Sequence, residues 1–233
     1  MITLVGVGHV FAISDQVRNL IRTKRPQIVC IELDPARYQA LRNRDSPRKV
    51  PIQYKLLSYL QVRMAGKFGT EAGDEMLAAA TAAGEVGAKV ALIDVDAGVV
   101  LAMLWRKMSF KEKVQLLGGA LTGLVISKKT VERELERYEN NEEQYLEALS
   151  SGFPTLKTIL IDDRNKHMAE RISALSTEYA EILAVVGDGH IPGIVQQLGQ
   201  KQIETIRLRE LRKSPEGGPG SAQYTSSFWC SDQ

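Results

Sequence analysis

The hydrophobic pattern at the start of the chain alternates short apolar runs with helically spaced segments. Ile2 to Val5 is a brief apolar run that ends in Gly6-Val7-Gly8-His9. Ser14 then opens a stretch with Val17, Leu20 and Ile21 at helical spacing, stopped by Arg25-Pro26. Ile28-Val29-Cys30-Ile31 has the composition of a buried strand and ends in Glu32-Leu33-Asp34. Pro35 suits the first turn of a helix over Ala36 to Arg44. Strand, helix, strand, helix in so short a span predicts an α/β fold with a parallel sheet.

Helical spacing continues over Gln53 to Gly66 and Thr70 to Gly84, and Lys89 to Ile93 predicts a further strand ending in Asp94-Val95-Asp96. Residues 97–150 carry no convincing strand, and Lys128 to Leu149 is rich in Glu and Lys/Arg at helical spacing. That stretch is expected to be a helical insertion with a solvated face, or a cap over a site. A helix begins at Pro154 and runs past Asp162, Arg164, His167 and Arg171. Ala180 to Val186 predicts a strand ending in Gly187-Asp188-Gly189-His190, a helix follows Pro192, and Ile203 to Leu208 completes the sheet. The expected architecture is a mixed, mostly parallel central sheet flanked by helices. It spans residues 1–213, with a Ser-, Pro-, Gly- and Gln-rich tail over 214–233 expected to be disordered.

Composition narrows the function classes. The 30 Lys and Arg residues nearly balance 28 acidic ones, which argues against nucleic acid as a partner. Cys30 and Cys230 lie in an apolar run and in the tail, so neither a disulfide framework nor a Cys-rich zinc site is indicated, and a reducing compartment fits. Neither a signal peptide at Met1 to Val10 nor a spanning apolar run is apparent, so the chain as it stands is expected to be soluble.

The candidate chemistry lies in a repeated phrase. Two of the three histidines follow an apolar strand in the same setting: Gly6-Val7-Gly8-His9-Val10 and Gly187-Asp188-Gly189-His190-Ile191. Glycines there permit φ > 0 and close backbone approach, so Gly6, Gly8, Gly187 and Gly189 are expected to bring substrate near the backbone. Each turn delivers an imidazole to the carboxyl end of a strand, where open α/β sheets bind ligands. If the two strands are neighbours, His9, His190 and Glu32 form two imidazoles and a carboxylate, a ligand set for divalent Mn, Co, Zn or Fe. The plainer reading of either turn alone is an ordinary strand-to-helix connection with a hydrogen-bonded histidine, and His167 reads as solvated. A dinucleotide fingerprint is weak, because Phe11 replaces its third glycine.

These residues resemble the TraB/PrgY family. Gly6-Val7-Gly8-His9-Val10, Val29-Cys30-Ile31-Glu32-Leu33-Asp34 and Arg37-Tyr38 look like its opening. Lys67-Phe68-Gly69, Glu75-Met76, Ile93-Asp94-Val95-Asp96, Trp105-Arg106-Lys107-Met108-Ser109-Phe110, Asp163-Arg164-Asn165-Lys166-His167-Met168-Ala169 and Gly187-Asp188-Gly189-His190-Ile191-Pro192-Gly193 follow in order, over about residues 1–210. The resemblance extends to a wider group with GumN, Tiki and ChaN/EreA-like proteins, marked by two Gly-x-x-His motifs, a Glu and an Arg. It implies functional roles for Gly6/His9, Gly187/His190, Glu32 and Arg164. Tiki proteins are described as metal-dependent proteases, PrgY-type members reduce a peptide pheromone signal, and ChaN-like relatives bind haem. One departure is Val95, where similar sequences carry Arg, so Arg164 is left to stabilise developing negative charge alone.

Three expectations follow. The first is a metal-assisted peptidase, with the ion on His9, His190 and Glu32, and with Asp34, Asp94 or Asp188 orienting an imidazole, binding substrate or acting as base; Glu32 is the alternative base. The second is a non-catalytic binder of a peptide or small ligand. The third is a haem or metal carrier with His9 or His190 axial. The expected partner is a peptide or small molecule, with homodimerisation through the insertion. A cytoplasmic or membrane-associated location is expected, with membrane attachment only if the full-length protein continues.

Overall fold

A computed structural model of the chain describes residues 1–8, 13–43, 73–115, 151–199 and 201–213. His9, Phe11, the helix expected over 53–66, the motif at 67–69, the segment 128–149 and the tail with Cys230 lie outside the described residues.

Five strands form one sheet: β1 (Ile2–Val7), β2 (Ile28–Ile31), β3 (Lys89–Leu92), β4 (Ile182–Gly187) and β5 (Ile203–Ile206), in the order β3-β2-β4-β1-β5. All four pairings are parallel. β1, β2 and all but the last residue of β4 are continuously buried because helices cover both of their faces. Period-two alternation sorts the side chains between those faces. Val5, Val7, Val29, Ile31, Leu183 and Val185 pack with α1 (Ser14–Lys24), α3 (Asp74–Glu85) and α8 (Leu208–Lys213). Leu4, Cys30, Ala184 and Val186 pack with α6 (Asp163–Leu175) and α7 (Ile191–Leu198). Burial pushes the Cys30 thiol up to about 12, so it is an inert core group.

Element boundaries follow local chemistry. Asp34 caps α2 (Pro35–Arg42) by accepting from the Arg37 N–H, with Pro35 in the first turn. Asp96 caps α4 (Ala97–Lys107) through the Gly98 and Val99 N–H groups. The described part of the predicted insertion is helical. Val100, Leu104 and Met108 pack on Ile159, and residues 110–115 continue as helix. Ser109 and Glu112 form a reciprocal capping box at the start of that helix, and Glu112 also accepts from the Thr155 N–H and hydroxyl. Glu112 thus joins the described part of the insertion to the helix that begins at Pro154. The predicted helix from Pro154 is built in three pieces: α5 (Pro154–Lys157), a π-helical turn over Thr158–Asp162, and α6. No helix among the described residues is long and apolar enough to cross a membrane.

One expectation is corrected. The last strand stops at Ile206, and Leu208 begins α8 instead of extending the strand. Leu208 and Leu211, spaced as one helical face, are buried in the core.

Candidate functional site

The strand order answers the central geometric question raised by the sequence. β1 pairs directly with β4, and Val7 lies opposite Gly187 at their carboxyl ends. β2 flanks β4 on the other side, with Ile31 opposite Val185. The chain leaves β1 and β2 toward one face and β4 toward the other, since α1 and α7 cover opposite faces. Connections that diverge in this way mark where open α/β sheets bind ligands, outside the carboxyl edge.

Glu32 follows β2 directly and is 6% exposed. Its Oε2 accepts from the Gly187 N–H at 2.6 Å, and its Oε1 accepts from Arg164 Nη2. His190, at the end of the single 3₁₀ turn Asp188–His190, places Nε2 3.4 Å from Glu32 Oε1. Its Nδ1 lies 2.6 Å from Asn165 Oδ1. Burial alone would push the Glu32 carboxyl up. His190, the Arg164 guanidinium and the Gly187 N–H together outweigh burial and hold it well below the usual carboxylate range.

Charge alternates along the rest of this carboxyl edge. Arg164 Nε and Nη2 grip both oxygens of Asp94 at 3.0 and 2.8 Å, and Nη1 donates to the Leu160 carbonyl at 3.2 Å. Asp94 is also bound by Arg37 Nη2, while Arg37 Nε donates to Asp34 at 2.5 Å. Asp34 further accepts from the Arg37 and Ala97 N–H groups at 2.9 and 3.3 Å. Burial raises the Asp34 carboxyl, but these donors win and lower it. The chain of contacts Asp34, Arg37, Asp94, Arg164, Glu32, His190, Asn165 is therefore continuous. Of the predicted site residues, Glu32, Arg164, His190, Asp34 and Asp94 come together in it. Arg37 and Asn165 were not selected from the sequence as site residues. Both lay in the quoted motifs, but nothing in their spacing marks them as partners of Asp94 and His190.

Asp188 lies elsewhere in the network. Its carboxylate takes Arg207 Nε and Nη2 at 3.0 and 2.8 Å and the Leu208 N–H at 2.8 Å, tying β4 to the start of α8. His167 is half-buried on α6, more covered than the solvated position expected of it.

The glycines serve by clearance. Neither Gly6 nor Gly187 has positive φ; Gly187 sits at φ −55°. A Cβ on Gly6 would collide with the Asp188 carboxylate, and one on Gly187 would lie 3.3 Å from Glu32 Oε2. The expectation of left-handed turns at these two positions is therefore replaced by close packing, because both belong to extended strands. Gly6→Ala should lower stability by about 1–3 kcal/mol, the cost of overpacking. A chemical denaturation curve checks this, and a variant as stable as wild type would contradict the clearance argument.

Donor chemistry bears on a metal. Among the described residues, Glu32 and His190 face one another, and no group of three His, Cys, Asp or Glu forms a metal site. The pair fits as two of three donors: the carboxylate is held ionised, and the imidazole is anchored through its far nitrogen, the usual arrangement for a ligand histidine. The third predicted donor, His9, is outside the described residues.

The model of the TraB/PrgY/gumN family matches residues 1–207. The chain belongs to the TraB/PrgY/gumN family. Every described member of the contact chain falls within the matched region of the TraB/PrgY/gumN model. A similar sequence is the uncharacterized protein MJ1365 of Methanocaldococcus jannaschii, 29% identical over 234 residues and 91% of this chain. The match covers 59% of that relative's length.

Proposed function

We propose that this TraB/PrgY/gumN domain is a metal-dependent hydrolase acting on peptide bonds, signalling peptides being the substrate class its family resemblance suggests. The observation that carries the reading is the buried Glu32–His190 pair, 3.4 Å apart at the carboxyl edge of the sheet. Glu32, His190 and His9 would hold a divalent ion such as Mn, Co or Zn, which supplies carbonyl polarisation and an acidified water. The chain's own residues do the rest. Gly187 and Arg164 keep the Glu32 carboxylate ionised and aimed, and Arg164 keeps positive charge beside it where negative charge would develop. Asp94 holds Arg164 by both oxygens, so the guanidinium is oriented before substrate arrives.

One observation favours a second reading, a non-catalytic peptide or small-ligand binder. Both Glu32 oxygens already accept hydrogen bonds, a self-satisfied arrangement that needs no ion. One experiment separates the two. A peptide mixture is incubated with the protein and Mn, Co or Zn, with and without chelator. Multiple turnovers abolished by chelator support the hydrolase. Stoichiometric retention without cleavage, indifferent to chelator, supports the binder and removes the hydrolase.

A further inference from the structure

We propose that the surface formed by the end of α4 and the helical residues after it docks onto an anionic lipid bilayer, at headgroup level and without crossing it. This docking goes beyond the hydrolase reading and is independent of it.

Two aromatic rings stand in water here. α4 buries Val100 and Leu104 against Ile159, with Met108 just past its end, while Trp105 is 56% exposed and Phe110 83%. Rings left in water at this level cost free energy that a partner recovers. Lys113 Nζ lies 5.2 Å from the Trp105 ring centroid, so residues 110–115 turn a side chain toward the outward side of α4. Phe110 and Lys113 are three apart in that helical stretch and are neighbours on its face. Trp105, Lys113 and Phe110 therefore belong to one surface.

Charge selects the occupant. From Ala97 to Gln115 the chain carries Arg106, Lys107, Lys111 and Lys113 against a single acid, Glu112. Glu112 is buried and turned to Ser109 and Thr155, whereas Arg106, Lys107 and Lys111 are exposed. The outward charge of this stretch is therefore all positive. A second copy meeting it through the same face would set cations against cations. Protein–protein interfaces are depleted in lysine, which supplies three of these four cations. Anionic headgroups match the surface better. Aromatic rings enter the boundary with the acyl chains, lysine and arginine stems lie along apolar ground, and their charges reach lipid phosphates. No helix among the described residues is long and apolar enough to cross a membrane, so the contact is peripheral.

The test uses the full chain and the fluorescence of Trp105. The sequence has two tryptophans, so Trp229→Phe leaves Trp105 as the reporter. Its emission should be that of a solvated indole in buffer and should shift to the blue on vesicles of phosphatidylcholine with phosphatidylglycerol, with quenching by brominated lipid. Pure phosphatidylcholine should bind far less, and added salt should weaken binding to the mixed vesicles. Lys111→Gln and Lys113→Gln should each weaken vesicle affinity about fivefold. Phe110→Ser should weaken it about tenfold or more. Emission already blue in buffer shows the ring covered within the protein and overturns the inference. So does equal binding to pure phosphatidylcholine. Retention on polyglutamate without a blue shift on anionic vesicles assigns the surface to an acidic protein and overturns it. Lipid-free self-association that Phe110→Ser abolishes, seen by sedimentation with no binding to vesicles, assigns it to a second copy and does the same.

Discussion

Arg164→Met should unfold with about 3–5 kcal/mol less free energy than wild type at neutral pH, the cost of leaving a buried charge without its partner. The guanidinium sits between two carboxylates that are 6% and 1% exposed at their side chains, and it is itself only 16% exposed. Without it Glu32 keeps the Gly187 N–H and Asp94 keeps Arg37, which is half-buried. Stability of the wild type follows a definite sign with pH. The folded Glu32 carboxyl is lowered, so its contribution is fully present above the ordinary carboxylate range and is lost as pH falls toward the folded value. The variant should behave differently. With the guanidinium gone, protonating Glu32 relieves an uncompensated charge, so the gap between variant and wild type should narrow on acidification. Denaturant melts over a pH series check both statements. A loss below about 1 kcal/mol, typical of a surface pair, would contradict the buried network. Arg164→Lys keeps charge without the two-pronged grip on Asp94 and should fall between the two.

His190→Ala carries the largest expected functional effect. Removing an outer partner of a metal ligand already costs about 10–100-fold in affinity, so removing the ligand should weaken Mn or Zn binding by at least about 100-fold. Peptide turnover, if present in wild type, should fall at least as far. Stability should change in a way that marks the site as functional: Glu32 keeps Arg164 and the Gly187 N–H, so the fold survives. Measured ion affinity equal to wild type in a folded His190→Ala protein would remove His190 from the ligand set.

Much of this was legible in the sequence because it is encoded locally. Runs at β1, β2 and β4 are mostly apolar since helices cover both faces, and the turn phrases ending in His9 and His190 mark strand ends whatever the topology. Strand order is not encoded locally. Nothing between Ile31 and Ile182 states that β4 enters between β2 and β1, yet that insertion brings Glu32 beside His190. Arg37 and Asn165 were unreadable for the same reason, since their partners lie 57 and 25 residues away. Gly6 and Gly187 are positions of close approach, and the approaching groups are the protein's own carboxylates. Asp188, placed by sequence among the substrate-binding groups, is held by Arg207 and the Leu208 N–H, a contact that needed α8 to be seen.

Elemental analysis of the freshly purified full chain, before and after dialysis against a divalent ion, puts the Glu32–His190 pair to the most direct trial. The hydrolase account predicts close to one divalent ion per chain, lost in His190→Ala and in His9→Ala. Wild-type protein that retains no ion after loading, or variants that retain as much as wild type, would contradict it.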